Sequence, residues 1–180
     1  MVRTAHLYPL IVATALLNAC TTSSPSSTPP DGRAGFRIDL ATLDGDLAAV
    51  QAERDTDVLL LSFWKTTCTP CKGQLSDFEA LHRAYAARGL RAYAVNIDEP
   101  AQRAQAQTWV DRGTWSFPTL VDADTQVVTR YNQRGACPFY VALTADGEVL
   151  RSHGGYVKGE SDELARFLDQ RLPPAPPGGG

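Results

Sequence analysis

Hydrophobic and polar positions divide the chain into a middle that can bury a core and two ends that cannot. Thr21 to Arg33 carries almost no apolar side chains, and Pro173 to Gly180 runs from prolines into three glycines. Neither can bury enough apolar surface to order itself, so they read as a flexible tether and a disordered tail. Between them the periods alternate. Phe36-Arg37-Ile38-Asp39-Leu40 alternates apolar and polar as a half-buried strand does, and Leu43-Asp44-Gly45-Asp46 turns the chain. Leu47 to Arg54 reads as a short helix or loop. Val58 to Trp64 is a continuous apolar run but for Ser62, which suits a central strand covered on both faces. From Thr69 to Arg88, the residues Leu75, Phe78, Leu81 and Tyr85 recur at helical spacing, and Gly89 stops the pattern.

The same reading continues to the end of the domain. Arg91 to Asp98 forms a second central strand, with Asp98 as the N-cap of a helix that carries Pro100 in its first turn and stops at Gly113. Phe117 to Asp122 is a short strand or turn, and Gln126 to Asn132 a short helix. Phe139 to Thr144 and Glu148 to Ser152 flank Ala145-Asp146-Gly147, which signals a hairpin. Ser161 caps a final amphipathic helix carrying Leu164, Phe167, Leu168 and Leu172. Strand, helix, strand, helix in that order predicts parallel pairing with a right-handed crossover, hence an α/β fold with a central sheet flanked by helices.

Composition adds only bounds. With 180 residues, 43% hydrophobic and 21% charged, the chain has room for one domain with a real core. A formal net charge of -3 gives none of the basic character that nucleic-acid binding calls for.

The N-terminus supplies an address. Arg3 precedes an uncharged apolar run from Leu7 to Leu17 that is too short to span a bilayer, and Leu17-Asn18-Ala19-Cys20 closes it. That quartet resembles the lipobox of bacterial lipoproteins, which implies cleavage before Cys20 and a lipid on its sulfur. An ordinary secretory signal with Cys20 lost or free is the alternative. Either way the domain is exported to where disulfides persist. The expected organisation is a signal peptide over 1–19, the lipidated Cys20 with its linker over 20–34, a folded domain over 35–172 and a tail over 173–180.

The candidate chemistry sits at Phe63-Trp64-Lys65-Thr66-Thr67-Cys68-Thr69-Pro70-Cys71, where the central strand runs into a helix. Two cysteines separated by two residues at such a junction are the minimal apparatus for thiol-disulfide exchange. At the positive end of the helix dipole a Cys68 thiolate is favoured, and its pKa falls below the usual value of about 8.5. Cys71, one turn further in, is placed to resolve the mixed disulfide. A zinc site would need a second ligand pair, and His82 and His153 stand alone. A purely structural disulfide would close a loop too small to constrain the unfolded chain much.

These pieces together resemble the TlpA/ResA/DsbE-type exported thiol-disulfide oxidoreductases of thioredoxin-like fold, which have a central mixed sheet flanked by helices. The resemblance covers about Phe36 to Leu172. It rests on Phe63-Trp64, Cys68-Thr69-Pro70-Cys71, Val95-Asn96-Ile97-Asp98, Phe117-Pro118-Thr119-Leu120-Val121-Asp122 and Cys137-Pro138. It implies that Pro138 is a cis-proline beside the redox pair and that Trp64 packs near it. It also implies that Cys137, Pro138, Trp64, Thr69 and Pro70 face the substrate. The implied function is reduction, or less readily oxidation, of disulfides in exported proteins. No cofactor is called for. Electrons would come from a membrane thiol transporter, and the protein would be a monomer held to the membrane by its lipid with the domain facing the periplasm. Departures from the pattern are Thr67 before the first cysteine and Ser76 in place of a helix proline. Ser62 and Gln74 stand where relatives carry a buried acid. A thiol peroxidase would carry Thr where this chain has Lys65.

Cys137 is the unusual residue. Three thiols remain once Cys20 is lipidated, and Cys137 can serve as a third redox thiol, as part of a soft Cu(I) site, or as a small buried side chain. The Cu(I) option extends to a competing function, a metallochaperone using Cys68, Cys71 and Cys137 or His153.

Overall fold

The computed structural model describes residues 35–175 apart from Thr114. The signal peptide, Cys20, the tether and the last five residues of the tail lie outside the described residues. The domain is one mixed sheet of seven strands, in the order β2-β1-β5-β4-β3-β6-β7. The strands are β1 (Arg37–Thr42), β2 (Leu47–Gln51), β3 (Val58–Trp64), β4 (Leu90–Asn96), β5 (Thr119–Val121), β6 (Phe139–Leu143) and β7 (Val149–Gly154). Helices α1 (Thr69–Tyr85), α2 (Arg103–Asp111), α3 (Gln126–Tyr131) and α4 (Glu160–Arg171) complete it.

Every residue of β3 is buried, as its continuous apolar run requires. β3 pairs in parallel with β4 and antiparallel with β6. Because side chains alternate across a strand, β3 serves two cores. Leu60 and Trp64 join Leu75, Phe78 and Leu81 of α1 and Leu164 and Leu168 of α4 on one face. Leu59, Leu61 and Phe63 meet Ile38 and Val50 of the β1–β2 hairpin and Val127 and Val128 of α3 in the other core. The β6–β7 hairpin turns at Gly147, whose φ of 85° and close cover by the Phe36 ring leave no room for a side chain.

Three sequence expectations are corrected. Leu47–Gln51 is a strand paired antiparallel with β1, because ladder bonds to β1 decide it and Val50 reaches the core. Asp98 caps no helix. Glu99 caps the 3-10 turn Pro100–Gln102 ahead of α2 in a reciprocal pair with Gln102, while Asp98 is buried and accepts from the Thr66 amide and Asn96 Nδ2, each at 2.8 Å. At α4 the N-cap is Gly159 at φ 91°, and Ser161 lies inside the helix.

Two buried carboxylates tie elements together. Asp57 accepts from the backbone amides of Glu53 and Arg54 and from Arg54 Nε and Arg91 Nε. Glu79 of α1 accepts from the Ser116 amide at 2.6 Å, the Ser116 hydroxyl and Arg83 Nε. Burial pushes both pKa values up, but the hydrogen bonds and adjoining guanidinium groups more than offset it and leave both lowered. A lowered folded pKa contributes stability that is present above the unfolded value, about 4, and is lost as pH falls through the folded one. Urea midpoints measured against pH should therefore fall steeply below pH of about 4. The slope should be shallower in Asp57→Asn and Glu79→Gln; an unchanged slope refutes the assignment.

Candidate active site

β3 ends at Trp64, and the three residues after it place the first cysteine. The Thr66 amide is held by buried Asp98, and the Cys68 amide donates to the Lys65 carbonyl at 3.0 Å. Cys68 is thereby the N-cap of α1, with extended backbone at φ -95° and ψ 92°. Pro70 fits the first turn because a first-turn amide has no intrahelical partner to lose. No acidic residue lies in that turn to oppose a negative sulfur. α1 runs unbroken past Ser76.

Cys68 and Cys71 form a disulfide with an S–S length of 2.03 Å. Cys68 is 8% exposed and Cys71 fully buried, so Cys68 is the member of the pair that reaches solvent. Thr67, Thr69 and Pro70 are exposed around it. Trp64 is fully buried under this turn, in the same core as both cysteines. Its ring stacks on Trp109 of α2 at 5.3 Å and meets Trp115 edge-on at 6.1 Å. Lys72 Nζ lies 4.0 Å above the Trp109 ring, a cation-π contact.

Opposite the pair, the Cys137–Pro138 peptide bond is cis. Cys137 is a half-buried free thiol that packs against both cores. Its sulfur and those of Cys68 and Cys71 all lie within 4.8 Å of one another. Burial pushes the Cys137 thiol pKa up; the Lys65 charge pulls it down, the Asp98 charge pushes it up, and the Lys65 backbone amide pulls it down. His153 is not in this cluster. Its Nδ1 lies 3.3 Å from Glu160 Oε1 and its ring stacks on Tyr140.

Ser62 and Gln74 form a neutral pair, the Ser62 hydroxyl donating to Gln74 Oε1 at 2.8 Å, both buried. Gln74 follows Cys71 by three positions and so shares its helix face. Gln74→Leu strands the Ser62 hydroxyl, and urea unfolding should show a loss of about 1–3 kcal/mol. An unchanged midpoint would show that the pair does not matter.

Sequence reasoning missed Asp98 and Lys65 as charges beside Cys137, and Trp109 and Trp115 as ring partners of Trp64. Asp98 follows a strand and precedes a proline by two positions, a pattern that signals a cap equally well. Lys65 acts partly through its backbone, which no residue pattern reveals.

Residues 36–152 match the family model described as the AhpC/TSA family. The thiol-disulfide oxidoreductase ResA of Halalkalibacterium halodurans is 30% identical over 138 residues, 76% of each chain. Among solved structures, a Chlorobium tepidum protein described as a DsbE-type thiol:disulfide interchange protein superposes with a TM-score of 0.65 at 21% identity, covering 76% of this chain and 93% of that one. The exposed lipoprotein thioredoxin Etrx1 of Streptococcus pneumoniae gives 0.62 at 18% identity, covering 75% and 99%. These two share the thioredoxin-like fold. With a Cys-x-x-Cys pair at the head of α1, the chain belongs to the AhpC/TSA family and is a thiol-disulfide oxidoreductase of the ResA/DsbE type.

Proposed function

We propose that this oxidoreductase works as a membrane-tethered reductase of disulfides in exported proteins, with Cys68 attacking and Cys71 resolving. The observation that carries the reading is the asymmetry of the pair, a slightly exposed cysteine at a helix N-cap and a fully buried partner one turn further in. In the dithiol form the Cys68 thiolate attacks a substrate sulfur and one substrate thiolate leaves. Cys71, losing its proton, then attacks Cys68 Sγ, so the second substrate thiol departs and the enzyme disulfide forms. Two electrons and two protons pass to the substrate. The backbone N-cap amides favour the Cys68 thiolate both as attacking group and as leaving group.

The loop at Cys137-Pro138 lies beside the pair, and with Thr69 and Pro70 it forms the surface on which a substrate strand docks; Trp64, fully buried, supports the redox turn from below and does not face the substrate as the resemblance implied. A lipid on Cys20 anchors the domain in the cell envelope, facing the periplasm; a structural neighbour from Streptococcus pneumoniae is itself described as an exposed lipoprotein. A membrane thiol transporter returns the electrons.

The test is the midpoint potential of the Cys68/Cys71 couple in the full chain, set in thiol buffers and read by alkylation. Reductase direction predicts a value near or below about -250 mV, close to thioredoxin. A value near about -120 mV makes the protein an oxidant and overturns the direction.

A further inference from the structure

Two-thiol exchange uses Cys68 and Cys71 and leaves the third sulfur without a task. The three sulfurs come from separate places, the N-cap of α1, its first turn and the cis-peptide loop, yet converge within 4.8 Å of one another. Among the described residues no carboxylate or imidazole belongs to this group. An all-sulfur donor set favours soft ions over magnesium, calcium or manganese. Structural zinc takes four ligands in a tetrahedron and iron–sulfur clusters are held by four cysteines, whereas this cluster offers three. Three thiolates satisfy a trigonal monovalent copper ion.

We propose that the reduced protein binds one Cu(I) ion through Cys68, Cys71 and Cys137, and that forming the Cys68–Cys71 disulfide abolishes the site. No electron moves on binding. Each coordinating thiol gives up its proton to solvent, and two of the three ligands are lost when the pair is oxidised.

The surroundings fit such an ion. Cys71 is fully buried, which limits water and oxidant on its side of the metal, while Cys68, 8% exposed, and half-buried Cys137 mark the side of entry. The Lys65 charge and backbone amide favour a negative Cys137 sulfur, opposed in part by the Asp98 charge. A Cys-x-x-Cys pair alone supplies two sulfurs, and Cys137 is what makes the site trigonal.

The experiment uses the full chain in detergent with Cys20→Ser, so that the three sulfurs are the only thiols. It is reduced without oxygen and titrated with Cu(I) against a chromophoric Cu(I) chelator. Expected are one equivalent bound, three sulfur neighbours by X-ray absorption, and no uptake by the disulfide form. Cys137→Ser, checked for folding by circular dichroism, should bind at least about tenfold more weakly and show fewer sulfurs. The X-ray absorption count on the protein with Cys137 intact keeps the test decisive even if that variant fails to fold. No uptake, two sulfur neighbours, or equal affinity in Cys137→Ser overturns the proposal. The midpoint potential, measured without metal, judges the exchange reaction separately.

Discussion

Cys71→Ser accumulates a covalent adduct between Cys68 and a substrate cysteine, and catalytic turnover falls by roughly a thousandfold or more, about 4 kcal/mol of barrier. Removing the buried resolving sulfur leaves the first step intact and takes away the partner that completes the second. Non-reducing mass spectrometry of the variant mixed with a disulfide substrate should show the adduct at Cys68. Cys68→Ser should show none, since the accessible sulfur is then missing. One group can still clear the adduct slowly. The Cys137 sulfur is within 4.8 Å of Cys68 Sγ, but burial pushes its pKa up, so less of it is thiolate near neutral pH than for an ordinary cysteine. The adduct should therefore shorten in lifetime as pH rises, and Cys71→Ser with Cys137→Ser should lose that pH dependence. A Cys71→Ser protein that turns over like the wild type would remove Cys71 from the mechanism.

Trp64→Ala should destabilise the domain by about 3–5 kcal/mol, a large fraction of the roughly 5–15 kcal/mol that holds a typical domain together. The indole is fully buried, stacks on Trp109, meets Trp115 edge-on and shares a core with both cysteines. Truncation opens a cavity directly under the redox turn that rigid β3 and α1 cannot fill. Trp64→Phe should cost much less. It keeps an aromatic face and deletes an indole N–H that has no hydrogen-bond partner among the described residues. Urea unfolding of the two variants checks the order, and equal losses would show that packing of the ring contributes little. Trp109→Ala, at a partly buried position, should lie between them.

The elements legible in the sequence are those whose own residues decide their burial. β3 is apolar at every position but Ser62 and reads as a central strand, and α1 repeats its apolar residues at helical spacing up to the stop at Gly89. β2 is not legible in this way. Its Leu47 is 80% exposed, Ala48 and Ala49 suit a helix, and only Val50 is fully buried, so pairing with β1 makes it a strand. Asp98 and Ser161 show the limit of capping signals. The first spends its carboxylate on the Thr66 amide, and the second lies past a glycine that already begins the helix. The redox pair is legible because its spacing is local. Cys137 comes near it only through the family resemblance, since a contact between distant segments leaves no period in the chain.

The stacking around Trp64 has an optical consequence. The chain contains three tryptophans, and all three meet in that one cluster, in the same core as the disulfide. Its indole emission therefore originates in one place, next to a sulfur pair that accepts electrons from excited indoles when oxidised and loses that capacity when reduced. The protein carries a built-in lamp for its own redox state, brighter as the dithiol, so exchange with a substrate can be followed in stopped flow without any attached dye.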